Sequence, residues 1–459
     1  MDEEVRLESR EGIFPVTFAF GTATCSVQGD GAGEHSDWRI RERSGLAPVS
    51  GRGNNRRDRY EEDFLRLAEC GLKHFRTSLD WSRLEPQKGM YDRQAIEDVR
   101  KFLEAADRRG LTVWLDLHHF DLPAWFGRMG GFMEETAMPY WHRFVEFAAK
   151  ELGSLAQFWV PVHQPFTYAA CSHLLGRFPP GKKRMDKFTD MVIRIHQAHG
   201  DAFRILKTYL PSRAKVGIAT LVAPVSPSAD NDIDRFGANF VDNFVNRVSF
   251  DALKHGAVSV PGKGSVEVPL CRGAADFVGI DYFFRLTVGH DVVAGPSGFS
   301  ELSMIEGMPR IATARTGEPL SEEGYGAAAS GLYDAIKQPA QSELELPIYI
   351  TAAGIATTDE DLRTRYLAGL FASLLRAVSQ GLDVRGCLLW SDVDGYEMNG
   401  GFNHHYGLYG FDPITFERTP RPAVALVTRV THERRVPDEF MPPPEPEAEP
   451  EPPSLIPEY

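Results

Sequence analysis

The sequence predicts a single (β/α)8 TIM barrel. Three observations point there: eight short runs of β-branched and aromatic residues, longer segments of helical period between them, and near-continuous apolar character within the runs. Strands alternating with helices make parallel βαβ units. Strands apolar on both sides are those covered on both faces. Eight such units favour a closed barrel over an open doubly wound sheet, and 459 residues fit one barrel with insertions.

Taken in order, strand one is expected at Val16–Gly21, before a helix over Tyr60–Cys70. Strand two, Leu72–Ser78, leads into a helix over Asp92–Arg109. Strand three, Thr112–Leu117, precedes a helix over Pro139–Leu152, and strand four, Phe158–His163, precedes one over Lys187–Leu210. Strands five and six are expected at Lys215–Leu221 and Phe277–Tyr282. The stretch from Leu286 to Leu344, rich in Gly and Ala, reads as a loop insertion over one face. Strand seven, Pro347–Thr351, comes before a helix over Asp361–Gln380, and strand eight is Gly386–Trp390.

The barrel is expected to span residues 1–436. From Pro437 to Tyr459 the chain holds nine prolines and seven acidic residues with no base, a composition unable to bury a core. That segment, 437–459, is expected to be a disordered acidic tail, either solubilising or a docking peptide for a protein partner.

Fifty basic residues against 64 acidic ones give a formal charge of −14. Nucleic acid and anionic membrane both need a basic footprint, so neither is the expected partner. Five scattered cysteines without a CxxC pair read as reduced thiols. The acidic start lacks a hydrophobic signal region, and no apolar stretch is long enough to span a bilayer, so a cytoplasmic protein is expected.

Barrel chemistry sits at the C-terminal ends of the strands. There the sequence places Gln28, Arg76, His118, His119, Asp121, His163, Gln164, Asp281, Tyr282, Trp390, Asp392, Asp394 and Glu397. Forked hydrogen-bonding groups mixed with aromatics suit a pyranose ring, whose hydroxyls need donors and acceptors and whose C–H face needs an aromatic platform.

Several runs then carry a specific resemblance. They are Phe18-Ala19-Phe20-Gly21-Thr22-Ala23-Thr24 with Gln28, Gly71 to Trp81 including Arg76, and His119-Phe120-Asp121-Leu122-Pro123. Pro179-Pro180-Gly181, Pro347 to Thr351, and Trp390-Ser391 with Asp394 and Glu397 complete the set. On these the chain resembles glycoside hydrolase family 1, the β-glucosidase family, over residues 14 to 430. The resemblance implies a retaining mechanism on β-linked glucosides or galactosides, with two glutamates and no cofactor. Gln28, His119, Trp390 and Glu397 match the family's hexose-binding positions, and Arg76 matches the arginine beneath the nucleophile. Tyr282 joins them as a substrate-side candidate.

The departures from the family pattern are concentrated. Its Asn-Glu-Pro reads His163-Gln164-Pro165, placing Gln164 at the acid/base position. Its Thr-Glu-Asn-Gly reads Thr351-Ala352-Ala353-Gly354, placing Ala352 at the nucleophile position. Asn-Tyr-Tyr becomes Asp281-Tyr282-Phe283, and two sugar-site tryptophans become Phe120 and Met398. Glutamine is no general acid at neutral pH and alanine is no nucleophile. Three readings follow: a sugar-binding protein without normal glycosidase turnover, an active glycosidase, transglycosylase or other enzyme using Asp281 and His163, or a scaffold acting through its tail. In the second, Arg76 pairs with Asp281, which otherwise simply fills the space around that arginine. A metal held by His118, His119 and His163 competes with the sugar role of His119, and no metal is expected.

Overall fold

A computed structural model describes residues 12–293, 300–305 and 307–440. Eight parallel strands close into one barrel: β1 (Ala19–Ala23), β2 (His74–Ser78), β3 (Thr112–His118), β4 (Phe158–Val162), β5 (Lys215–Val216 and Ile218–Leu221), β6 (Val278–Tyr282), β7 (Ile348–Ala353) and β8 (Val384–Trp390). β1 pairs with β8 and with β2. The two parts of β5 join β4 to β6, and a bridge from His163 to Ala219 completes the wall. Helices follow the strands: α1 (Arg56–Glu69), α2 (Arg93–Arg108), α3 (Met138–Leu152), α4 (Met185–Tyr209), α5 (Asp232–Asp242, continuing into Val248–His255), α6 (Gly331–Gln341), α7 (Glu360–Ser379) and α8 (Ala423–Glu433).

Most element ends lie within a few residues of the sequence reading, and four differences bear on the fold. β1 starts at Ala19 because Phe18 closes a turn onto the Pro15 carbonyl at 2.9 Å, leaving Val16 in solvent. β7 runs on to Ala353, two residues further than expected. The Gly- and Ala-rich insertion is not only loop. It contains α6 and supplies Leu286–Val288 and Ile311–Ala312 to a small sheet with Val225–Pro227. At the far end a 3₁₀ turn, Asp438–Phe440, carries Phe440 onto the core, so the folded part reaches past Val436. The rest of the tail, from Met441, lies outside the described residues.

Side chains alternate along each strand, so the barrel interior fills in layers. The lower layer is aromatic. Trp114 stacks on Phe158 at 3.8 Å, and His74, Phe277 and Tyr349 pack edge-on around the pair. Further along the strands, two residues on for Arg76 and Asp116 and four for Asp281, the interior becomes charged, and all three are fully buried. The aromatic plug therefore seals one end and sets the charged layer under the C-terminal mouth.

β5 breaks at Gly217, where the backbone passes close to Phe277. A Cβ there would stand 2.6 Å from the Phe277 ring and carbonyl. Gly217→Ala is expected to cost about 1–3 kcal/mol by overpacking, read as a lower urea midpoint at unchanged slope. Unaltered stability would show that the lower layer yields.

Among the described residues no helix is long and apolar enough to cross a membrane. All five cysteines are unpaired.

Candidate active site

The site is built around Arg76 on β2. Its Nε and Nη2 donate to the two oxygens of Asp116 on β3, at 3.0 and 2.9 Å. Nη1 donates to the Thr351 carbonyl at 3.0 Å and to Asp281 Oδ1 at 3.4 Å. Nη2 also donates to His163 Nδ1 at 2.6 Å, which leaves the proton of a neutral His163 ring on Nε2. Burial disfavours the guanidinium charge, but Asp116 and Asp281 outweigh it and raise its pKa.

Asp281, on β6, is engaged through both oxygens. Oδ1 accepts from Thr351 Oγ1 at 2.6 Å and from Arg76. Oδ2 accepts from Gln164 Nε2 at 2.8 Å and lies 3.4 Å from His163 Nδ1. Burial raises its pKa, and Arg76, Thr351 and Gln164 oppose that shift. Asp281 stands opposite Ala352 in the β6–β7 register, where a bulge interrupts the ladder. Asp281 and His163 thus meet the guanidinium directly, Gln164 reaches it through Asp281, and Ala352 follows Thr351, whose carbonyl the guanidinium binds. Gln164 has φ +42° and Phe120 φ +75°, so two non-glycine residues hold left-handed backbone at the strand ends. Such conformations are sparsely populated and persist where the surroundings over-determine them.

The second half of the site is the opposite wall. Gln28 Nε2 and Trp390 Nε1 both donate to Glu397 Oε1, at 2.6 and 3.0 Å. Burial, then the nearby Glu323 carboxylate, pushes the Glu397 pKa up to about 8 against those two hydrogen bonds. His119 joins the halves. Its Nδ1 meets Asp116 Oδ2 at 2.9 Å, and its ring stacks on His163 at 3.7 Å and faces Trp390 at 6.0 Å.

Tyr282 is a correction. Strand alternation turns it away from Asp281, and its hydroxyl donates to the Ala328 carbonyl outside the barrel, beside α6. His118 also stays apart from its neighbours. Its buried ring sits edge-on to Phe132 and Tyr168, neither nitrogen has a hydrogen-bond partner, and burial lowers its pKa to about 3. Asp392 and Asp394 serve the frame: Asp392 binds Arg56, and Asp394 binds Arg421 and the Gly407 amide.

Among the described residues His118, His119 and His163 are not drawn together as one ligand set. A different trio, Asp116, His119 and His163, has ligand atoms within 4.8 Å of one another. Asp116 and His163 already face the Arg76 guanidinium, so the cation their geometry accommodates is that arginine.

One residue at the mouth escaped sequence reasoning. Glu323, from the insertion after β6, accepts a hydrogen bond from Tyr406, lies 3.5 Å from His404 Nδ1, and has its pKa raised by burial. Only the adjacent acids Glu322-Glu323 in a Gly- and Ala-rich stretch signalled it.

Known proteins share this framework. A beta-galactosidase of Pyrococcus woesei is 24% identical, covering 91% of this chain and 96% of its own length. Beta-glucosidase 10 of Arabidopsis thaliana is 26% identical over 90% of this chain and 89% of its own. The solved beta-glycosidase of Pyrococcus horikoshii superposes with a TM-score of 0.85 at 29% identity, covering 94% of this chain and 97% of that one. The sequence model of glycosyl hydrolase family 1 matches residues 10–435. The chain belongs to glycosyl hydrolase family 1.

Proposed function

We propose that this protein binds a hexose or β-glycoside through Gln28, His119, Trp390 and Glu397 without the two-carboxylate turnover of a retaining glycosidase. One observation carries the reading. At the end of β4 the side chain is the Gln164 amide, held as a donor to Asp281 at 2.8 Å, while the end of β7 offers Ala352. A retaining mechanism needs a carboxyl nucleophile and a carboxyl acid about 5 Å apart. Neither strand end supplies one. The wall that grips sugar hydroxyls keeps its amide, indole and carboxyl in mutual hydrogen bonds.

Relocated chemistry through Asp281 and His163 has less support. Oδ1 of Asp281 accepts from Thr351 and Arg76 and Oδ2 from Gln164, so the carboxylate is held by the barrel wall and its charge is already taken up by those donors. His163 is held neutral by burial, with His119 and Arg76 adding to the effect, and its Nδ1 is engaged by Arg76. The acidic tail as a docking segment remains a separate proposal that these groups do not bear on.

Two measurements test the reading together. Calorimetric titration with glucose, galactose and cellobiose is expected to give saturable binding, and silence across a panel of β-glucosides and β-galactosides overturns it. Any residual hydrolysis of an aryl β-glucoside is expected to be unchanged in Asp281→Asn. Its loss in a variant that still binds sugar would make Asp281 a catalytic residue.

A further inference from the structure

A cleft of about 820 Å³ opens beside the barrel mouth, between the segments that follow β1, β3 and β4, and it contains none of the sugar-site residues. Its volume lies in the range of small-molecule sites. The floor is apolar, formed by Leu122, Phe132, Met133 and Met191 with the ring of Tyr168. Ile40 and Leu46 stand exposed at its edge.

The charge of its lining runs against that of the chain. Six cations, Arg41, Arg128, Lys182, Arg184, Lys187 and Arg194, line it against three carboxyls, Asp37, Glu134 and Asp190, in a protein of formal charge −14. Of the six, Arg184, Lys187 and Arg194 are paired with Asp186, Asp190 and Glu135. Among the described residues Arg41, Arg128 and Lys182 meet no carboxylate. Arg41 is the most telling. Its Nη2 donates to the Gly176 carbonyl at 2.8 Å, but its Nε is buried without any partner. Burial lowers its pKa, and no acid offsets that cost. Lys182 and Lys187 both act on the buried His173, which burial and these cations hold neutral. One acid lining the cleft, Asp37, is pushed up to about 7 by burial, so at neutral pH it offsets the positive rim only in part.

We propose that this cleft is a second binding site, for a small soluble anion that joins a carboxylate, sulfate or phosphate head to an apolar body. The head meets Arg41 and Lys182, and the body lies on Leu122, Phe132 and Met191. A guanidinium that no carboxylate compensates is suited to the charge-assisted hydrogen bonds such a head accepts. A recessed cleft with an apolar floor takes a free molecule more readily than a flat bilayer surface. The site shares no residue with the sugar pocket, so it does not rest on the sugar-binding reading.

Decanoate is the probe, titrated calorimetrically into the full chain. One-to-one binding is expected, weakened at least tenfold by Lys182→Glu with Arg128→Glu, both exposed positions, and at least tenfold by Arg41→Gln. Decyltrimethylammonium is expected not to bind, and saturating glucose not to compete. Affinity indifferent to charge reversal in a folded variant overturns the proposal, as does competition by glucose, which would place the anion in the sugar pocket. Cosedimentation with phosphatidylglycerol vesicles without binding of free decanoate would replace the soluble ligand by a lipid surface and overturn it too.

Discussion

Replacing Arg76 with leucine is expected to cost about 3–5 kcal/mol of stability, the penalty for breaking a buried ion pair by removing one partner. Folded domains carry only about 5–15 kcal/mol in total, so the variant should be close to unfolding. The reason is local. Asp116 and Asp281 are both fully buried, and Arg76 is the cation that compensates them. Adding Asp281→Asn to the leucine variant should recover part of the loss, because an amide can still bond Thr351 and Gln164 without a charge to strand. The pH dependence has a definite sign. Burial already raises the Asp281 pKa, and loss of Arg76 raises it further. An acid protonated in the fold but ionised in the unfolded chain favours unfolding as pH rises above its unfolded value. The leucine variant should therefore lose stability between mildly acidic and neutral pH more steeply than the parent protein. Urea midpoints at pH 5 and pH 7 check both statements. A cost below about 1 kcal/mol, or no rescue by asparagine, would mean that water reaches the carboxylates when the guanidinium is gone.

The same cluster marks what was legible in the sequence. The barrel was readable because its two periods, apolar strand runs and helical segments, survive in each unit, and element ends, such as the one at Pro15, were what shifted. The strand-end residues were readable because a barrel brings all eight ends to one mouth. That Asp281 neighbours Arg76 followed from position. How many partners it has did not, because that depends on rotamers of Thr351 and Gln164 that arrive from two other strands. Tyr282 was misplaced by a single step of strand alternation, which turns a side chain from the interior to the outer helices. Glu323 had no periodic signal, since the insertion carrying it is positioned by tertiary contacts such as the Tyr406 hydrogen bond. Helix α6 was hidden similarly: its run contains Pro339, and Gly and Ala precede it.

On the proposed sugar-binding reading, affinity is expected to rise with pH through about 8 and level off above it, as Glu397 ionises. Gln28 and Trp390 both donate to Oε1, which leaves Oε2 for a sugar hydroxyl. With a pKa of about 8, the carboxyl is roughly nine-tenths protonated at pH 7. A hydroxyl donating to it binds the ionised form better, so binding releases a proton, and the apparent affinity follows the ionised fraction upward. Well below pH 8 the slope should approach about tenfold per pH unit, the limit for one linked proton. Calorimetry in buffers of different ionisation heat measures that proton directly. Glu397→Gln removes the titration and a charge-assisted hydrogen bond of about 1.5–3 kcal/mol, so affinity should fall roughly ten- to hundredfold and become flat with pH. Glu323→Gln separates the causes. It removes the charge that, after burial, contributes most to raising the Glu397 pKa, so the rise should move to lower pH while the plateau affinity stays. An unshifted midpoint would leave burial alone responsible, and a collapsed plateau would make Glu323 a sugar ligand in its own right.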